Sequence, residues 1–295
     1  MRCRPMSIHF SPPTALVFVA ALLLAACGAP AASPAPSSTE PPSPAPVPAG
    51  LYLRAWQTQA LPPPTTFSWL PLITVADDLL IDGNVAVPAI YPGPLLIVPF
   101  ARAISDAGQA ALLEEAQRLG LLGEETDLTG GSPPGMAIGH IEIVVDGRSR
   151  EILGDPSRPV SCDGARCDAE PGTPEAFAAF WQELHNLDAL MPAELGQVGT
   201  YEPDRVAVLT VAPEEQPDVQ PQVQEWPLDV PLNDFGQPYT SDPQMRCAVV
   251  EGDDLDELLP ALLEGNQLTV FVDAQENARS IVARVMVPGE PSPCG

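Results

Sequence analysis

The chain has 295 residues and a formal charge of −26, from 39 acidic side chains against 13 basic ones, and every basic residue is arginine. The absence of lysine excludes a Gly-rich phosphate loop ending in Lys, a Schiff-base amine, a Ser-x-x-Lys acyl-enzyme and a Lys-rich nucleic-acid arm. The acidic excess also disfavours nucleic acid and anionic lipid headgroups as direct partners, because like charges repel.

Arg2 and Arg4 open the chain, an apolar run follows at 15–26 (ALVFVAALLLAA), and Cys27 stands directly after it. An apolar core of about a dozen residues is shorter than the roughly 20 a spanning helix needs, and has the proportions of a signal peptide. Leu24, Ala25 and Ala26 ahead of Cys27 resemble the lipobox of bacterial lipoproteins, a bulky aliphatic followed by two small residues before the cysteine. The resemblance implies that 1–26 is a lipoprotein signal peptide and that Cys27 becomes a lipidated N-terminus. The protein would then face the extracytoplasmic side, at the cell surface or in the periplasm, held by a diacylglyceryl group whose two chains suffice for stable anchoring. An ordinary secretory signal with a chance cysteine is the alternative. Residues 29–50 carry eight prolines and, apart from Val47, no large apolar side chain. Such a segment cannot offset its ordering entropy, so 27–50 reads as a disordered linker, a polyproline-like spacer of about 60 Å.

Removing the leader takes away Arg2 and Arg4 but no acid, leaving 39 acidic against eleven basic residues, a net of −28. The remaining 51–295, about 245 residues, is enough for one large domain or for two sub-units, 51–200 and 201–295. Strands are expected at 51–57 and 72–75, and at 79–81 turning through Asp82-Gly83-Asn84 into 85–87. Ser105 caps a helix to Leu119, with Leu112, Leu113, Ala116 and Leu119 on one face and Gly120 as its stop. Strands 140–145 and 149–153 form a hairpin about Asp146-Gly147. Thr173 and Pro174 open a second helix, striped by Phe177, Phe180, Trp181, Leu184 and Leu187, that runs to Met191-Pro192. A strand follows at 206–211. The acidic, proline-spaced stretch 213–231 reads as an exposed loop or edge segment, a candidate docking surface. A third helix starts near Asp253, whose carboxylate and those of Asp254, Asp256 and Glu257 suit the positive helix end. Pro260 should kink or split it. Strands 268–273 and 280–287 close the chain. The fold class is therefore α+β, mostly antiparallel sheet with about three helices. A helix followed by a hairpin occurs twice, and 144–152 aligns loosely with 271–281, so two related helix-hairpin units are expected.

Four cysteines remain beside Cys3 and Cys27: Cys162, Cys167, Cys247 and Cys294. An even count in an exported chain reads as disulfides, and four cysteines allow three pairings. The favoured one joins Cys162 to Cys167 across a short loop and Cys247 to Cys294 across a long one, worth about 2 and about 4 kcal/mol by loop entropy. The rival reading makes a metal site of Cys162, Asp163, Cys167 and Asp168. It lacks a nearby histidine.

The segments AIYPGPLL (89–96), ISDAGQAALLEEAQRLGLL (104–122) and RCAVVEGDDLDELLPALLEGNQLTVF (246–271) resemble a group of secreted lipoproteins of high-GC bacteria. That resemblance spans most of 51–295 and implies architecture and location, but no catalytic residue. Pro260 and the proline run 62–64 depart from its pattern.

Nothing singles out a catalytic set, a cofactor site or a metal site. No Gly-x-Ser-x-Gly or His-Glu-x-x-His occurs. His140 begins a strand and reads as structural. His185 and Asp188, three apart on the second helix, fall on one face; a metal site there would need further ligands from elsewhere, and the pair reads as a solvated polar face. Asp78–Gly83 has Leu80 where a calcium loop needs oxygen and reads as a turn. The prolines of 130–135 remove the amides that a phosphate cradle needs. Trp56, Trp69, Trp181 and Trp226 are too dispersed in sequence to form a recognisable platform. The leading expectation is a lipid-anchored, non-enzymatic module that binds an envelope protein or ligand or helps organise the envelope, with an apolar patch near 91–96 if it binds. A secreted inhibitor or sensor-like domain and a carboxylate-dependent hydrolase are the alternatives.

Overall fold

Strand β1 (Tyr52–Thr58) points Leu53 and Ala55 to one side and Arg54, Trp56 and Thr58 to the other, and this division organises half the molecule. The structure, a computed structural model, describes residues 50–86, 91–133, 135–213, 220–239 and 242–294. The leader, Cys27 and nearly all of the linker lie outside these residues, as do residue 87 of the strand expected at 85–87 and 214–219 of the proposed docking stretch.

The chain continues through α1 (Pro63–Phe67), β2 (Ile73–Ala76), β3 (Leu79–Asp82), β4 (Phe100–Ala103), α2 (Asp106–Arg118), β5 (Asp127–Leu128), β6 (Ile138–Val145) and β7 (Arg148–Gly154). Then come β8 (Ser161–Asp163), β9 (Arg166–Asp168), α3 (Pro174–Leu184), α4 (Leu187–Leu190), a 3-10 turn at Pro192–Glu194, and β10 (Gly199–Thr200). Last are β11 (Arg205–Val211), β12 (Val223–Glu225), β13 (Gln237–Tyr239), β14 (Asp242–Glu251), α5 (Asp253–Glu264), β15 (Val270–Val272) and β16 (Ala278–Val285). An eight-stranded sheet runs β10-β4-β3-β2-β1-β6-β7-β5, a six-stranded sheet runs β12-β15-β16-β11-β14-β13, and β8-β9 form a separate hairpin. The fold is α+β, and all described strand pairs are antiparallel except β5–β7 and β12–β15.

On the eight-stranded sheet, Leu53 faces Val75 and Ile143, and Ala55 faces Ile73 and Ile141. Helices α2 and α3 cover this face with Leu112, Ala116, Phe177, Phe180 and Leu184. The six-stranded sheet buries Val206, Val208, Ile281 and Val285 under Leu255, Leu258 and Leu262 of α5, and this second core takes in Ile81, Leu95 and Leu96 from the first half of the chain. The opposite face of that sheet, with Ala207, Leu209 and Cys247, packs on Phe67 of α1. Residues 206–210 of β11 are thus buried on both faces, which is why they form an unbroken apolar run with one threonine rather than an alternating pattern.

The caps behave as the sequence leads one to expect. Ser105 Oγ accepts from the Gly108 amide at 3.1 Å and Thr173 Oγ1 from the Ala176 amide at 3.2 Å. Asp146 and Gly147 have φ of 51° and 71°, the two positive values that a type I′ hairpin turn requires.

Four expectations need correction. The described residues hold five α-helices rather than about three. Of the two additional ones, α1 starts on the proline run, because proline is tolerated in a first helical turn, and α4 is a single turn after a break. The second helix stops at Leu184 instead of reaching Met191: Asn186 leaves helical geometry and its side chain donates to the Gln182 carbonyl at 3.0 Å. Pro260 leaves α5 unbroken, since it lies on the exposed side where the carbonyl it deprives of a partner can meet water. The 79–81 strand turns back on β2 through Asp77-Asp78, not forward through Asp82-Gly83-Asn84. Gly83 serves a close approach instead: a Cβ there would overlap the Pro71 carbonyl oxygen.

The two helix-hairpin units also differ in topology. The hairpin after α2 joins the sheet through its first strand, β6, beside β1. The hairpin after α5 joins through its second, β16, beside β11. The loose likeness of 144–152 and 271–281 reflects the shared chemistry of hairpin turns rather than a repeated strand order.

Candidate functional site

Strand β1 and the segment after α1 line two adjoining cavities that share Gln57, Trp69 and Leu70 in their walls. One, of about 330 Å³, is lined by Leu72, Asn84, Trp181 and His185. The other, of about 390 Å³, lies between Trp56, Phe67, Tyr239 and the C-terminal segment at Glu290–Pro293, with Arg54 and Arg284 in its wall. Because Gly83 has no Cβ to overlap the Pro71 carbonyl oxygen, the chain passes close enough to shape the first cavity. The Gly83 amide donates to the Leu72 carbonyl at 2.9 Å.

Cross-strand pairing builds the polar floor. Trp56 lies opposite His140 and Arg54 opposite Glu142. The Trp56 and His140 rings stack at 4.8 Å with 14° between their planes, and the Arg54 guanidinium sits 4.2 Å from the Trp56 ring centroid. His140 is held at both nitrogens, 2.8 Å from Thr58 Oγ1 and 2.8 Å from Glu151 Oε1, consistent with the structural role expected for it. Arg54 Nη2 donates to Glu142 Oε2 at 3.1 Å. Arg284 Nη1 donates to the Trp69 carbonyl at 3.2 Å, and its Nη2 pairs with Glu290 Oε1 at 2.7 Å. The Nε–H groups of both arginines are buried without a hydrogen-bond partner, so each guanidinium that lines the cavity retains one unsatisfied donor. At the mouth of the first cavity, desolvation by the surrounding protein lowers the His185 pKa, opposed by the Asp82 carboxylate. His185 therefore stands as a neutral imidazole near neutrality, able to donate and accept.

These cavities offer aromatic faces, amide side chains and a neutral imidazole. They are equipped to hold a ligand with apolar faces and hydrogen-bonding edges.

Other residues of interest lie elsewhere. Cys162 is bonded to Cys167 and Cys247 to Cys294, the pairing that the sequence favours. Both cysteines of the rival metal site are thereby consumed. Among the described residues, no group of three or more His, Cys, Asp or Glu is placed to hold a metal ion. His185 and Asp188 part at the helix break, and Asp188 forms an ion pair with Arg102; hydrogen bonding from Arg102 holds its carboxyl below the usual range. The acids at 253, 254, 256 and 257 are exposed on the first turns of α5.

The patch expected near 91–96 is largely absent. Leu95 and Leu96 are buried in the second core, held by a hydrogen bond from the Leu95 amide to the Gly265 carbonyl, and only Tyr91 is strongly exposed. The stretch 213–231 contributes the edge strand β12, but its Trp226 and Leu228 are buried.

Sequence reasoning missed that Trp69 stands between two adjoining cavities, with Trp181 in the wall of one and Trp56 in the wall of the other. The alternation of β1 was the one available signal, because it places Trp56 on the side away from the core. Trp226 belongs to a different cluster, edge-on to Phe235 and Phe271. In comparisons with family models, curated proteins and solved structures, the chain matches none of them.

Proposed function

We propose that this protein is a lipid-anchored extracytoplasmic binding module. In this reading 1–26 is a signal peptide of the lipoprotein type, Cys27 carries the lipid, 27–50 spaces the folded part from the membrane, and 51–295 binds. The sheet changes between Thr200 and Arg205, but Ile81, Leu95 and Leu96 pack into the second core, which favours 51–295 acting as one domain over sub-units 51–200 and 201–295. The resemblance to secreted lipoproteins of high-GC bacteria supports the same location. A net charge of −28 keeps the tethered domain away from an anionic membrane surface.

The observation that carries the binding assignment is the pair of cavities joined at Gln57, Trp69 and Leu70, with two further tryptophans in their walls. Trp69 supplies an apolar face that is only half-buried, while Gln57, Asn84 and His185 supply edge-on hydrogen bonds. A saccharide has this combination of apolar ring faces and hydroxyl edges.

Titration of the protein with a panel of soluble oligosaccharides, followed by tryptophan fluorescence, tests the assignment. Binding by at least one, weakened about tenfold or more in Trp69→Ala through loss of roughly 1.4 kcal/mol, is the expected result. An equal affinity in Trp69→Ala, or no response from any member, refutes it. The anchor is tested separately, because Cys27→Ala should move the protein from the membrane to the soluble fraction.

A further inference from the structure

Away from the cavities, the disulfide-closed hairpin β8–β9 rests on α2 and α3 over a buried set of charges. Glu183 of α3 is fully buried, and Glu115 of α2 is 4 % exposed. Arg118 reaches both: Nε donates to Glu115 Oε1 at 2.7 Å and Nη2 to Glu183 Oε1 at 3.0 Å. The same residues grip the backbone of Cys167. Its amide donates to Glu183 Oε1 at 2.8 Å, and its carbonyl accepts from Arg118 Nη2 at 3.0 Å. From β9, Arg166 is mostly exposed and stays 3.9 Å from Glu115 Oε2, while Asp168 adds negative charge near Arg118.

Two buried carboxyl groups thus face one close guanidinium. Glu183 Oε2 is buried with no hydrogen-bond partner. As a carboxylate oxygen it would leave negative charge unpaired in a low-dielectric interior, next to a second carboxylate. As a carboxylic O–H it becomes a donor, and Glu115, whose Oε1 is held by the same Arg118 Nη2 as Glu183 Oε1, is the acceptor beside it.

We propose that Glu183 carries a proton which it donates toward Glu115, and that this proton latches the disulfide hairpin 161–168 onto α2 and α3. Burial above all, together with the Glu115 carboxylate, pushes the Glu183 carboxyl up to about 7, although the Cys167 amide and Arg118 pull it down. When the proton leaves to solvent, two carboxylates compete for Arg118. Glu183 must then turn toward water, releasing the Cys167 amide that its Oε1 held. The Cys162–Cys167 bond keeps the hairpin intact, so what changes is its docking and not its shape. The hairpin is seated at acidic pH and loosened at alkaline pH.

Hydrogen exchange of the purified full-length protein, compared at about pH 5.5 and about pH 8.5 after correction for intrinsic rates, reads this latch. The Cys167 amide should lose at least about tenfold in protection at the higher pH, the equivalent of one pKa unit, while amides of β11 stay unchanged. Glu183→Gln keeps the acceptor for Cys167 and a donor for Glu115, so its Cys167 protection should be the same at both pH values. Equal wild-type protection at both pH values, or an undiminished pH effect in Glu183→Gln, overturns the proposal. If Glu183→Gln fails to fold by circular dichroism, Glu115→Gln removes the same charge conflict and carries the same two outcomes.

Discussion

Replacing Gly154 by alanine puts one methyl group into the tightest part of the first core. Gly139 and Gly154 are paired across β6 and β7, and the Phe177 ring, itself 0 % exposed, lies over both. A Cβ on Gly139 would lie 2.9 Å from Phe177 Cε1 and Cζ, and one on Gly154 would fall inside contact distance of the ring atoms Cγ, Cδ1 and Cδ2. Neither glycine has a positive φ, so alanine suits the backbone and the effect is steric. Overpacking of this kind costs about 1–3 kcal/mol, and truncating Phe177 to alanine about 3–5 kcal/mol through the cavity it leaves. At about 2–4 °C per kcal/mol for a folded region of this size, Gly154→Ala should lower Tm by about 2–12 °C. The double variant is the sharper test. The new methyl would enter space vacated by the ring, so the combined loss should fall short of the sum by about 0.5–3 kcal/mol. Urea titrations and calorimetry of the four proteins measure it. A Gly154→Ala protein as stable as wild type, or strictly additive losses, would refute the reasoning.

Two further outcomes follow from the second half of the chain. Replacing Cys247 and Cys294 by serine opens a loop with a sequence separation of 47; the loop-entropy model gives a loss of about 4 kcal/mol, readable as a lower urea midpoint. Asp273 anchors the turn between β15 and β16, accepting from the amides of Leu232 at 2.8 Å and of Gln275 and Asn277 at 2.9 Å. Burial raises its pKa, but the hydrogen bonds from Asn277, Leu232 and Gln275 outweigh this and hold the carboxyl below its usual value. A depressed carboxyl stabilises the fold above the unfolded pKa of about 3.9, and that contribution is lost as pH falls through the folded value. Urea midpoints measured from about pH 5 to about pH 2 should therefore fall less steeply in Asp273→Asn than in wild type. Parallel curves would contradict the assigned role.

The parts of the fold that were legible in the sequence are those that depend on near neighbours. Ser105, Thr173 and Pro174 mark helix starts because a cap acts within three residues, and Asp146-Gly147 marks a hairpin because both residues tolerate positive φ. The early end of α3 is also local, since Asn186 turns its side chain back on the Gln182 carbonyl, but the apolar spacing continues the helical period past it to Leu187. For Asp82-Gly83-Asn84 the composition was informative but ambiguous. Glycine there answers a close approach to Pro71, which the sequence shows no differently from a turn.

The sequence alone determined the charge, the absence of lysine, the α+β class and most helix starts. All of these rest on composition or on interactions within a few residues. Tertiary structure alone decided that hairpin β6–β7 joins its sheet through its first strand and β15–β16 through its second. It also decided that Trp69 separates a cavity walled by Trp181 from one walled by Trp56, and that Glu115 and Glu183 confront each other over Arg118. Most of those pairings join residues far apart in the chain, 65 positions for Arg118 with Glu183 and 84 for Trp56 with His140. They are set by which apolar faces must be buried together, and burial is a property of the assembled core rather than of any stretch of chain.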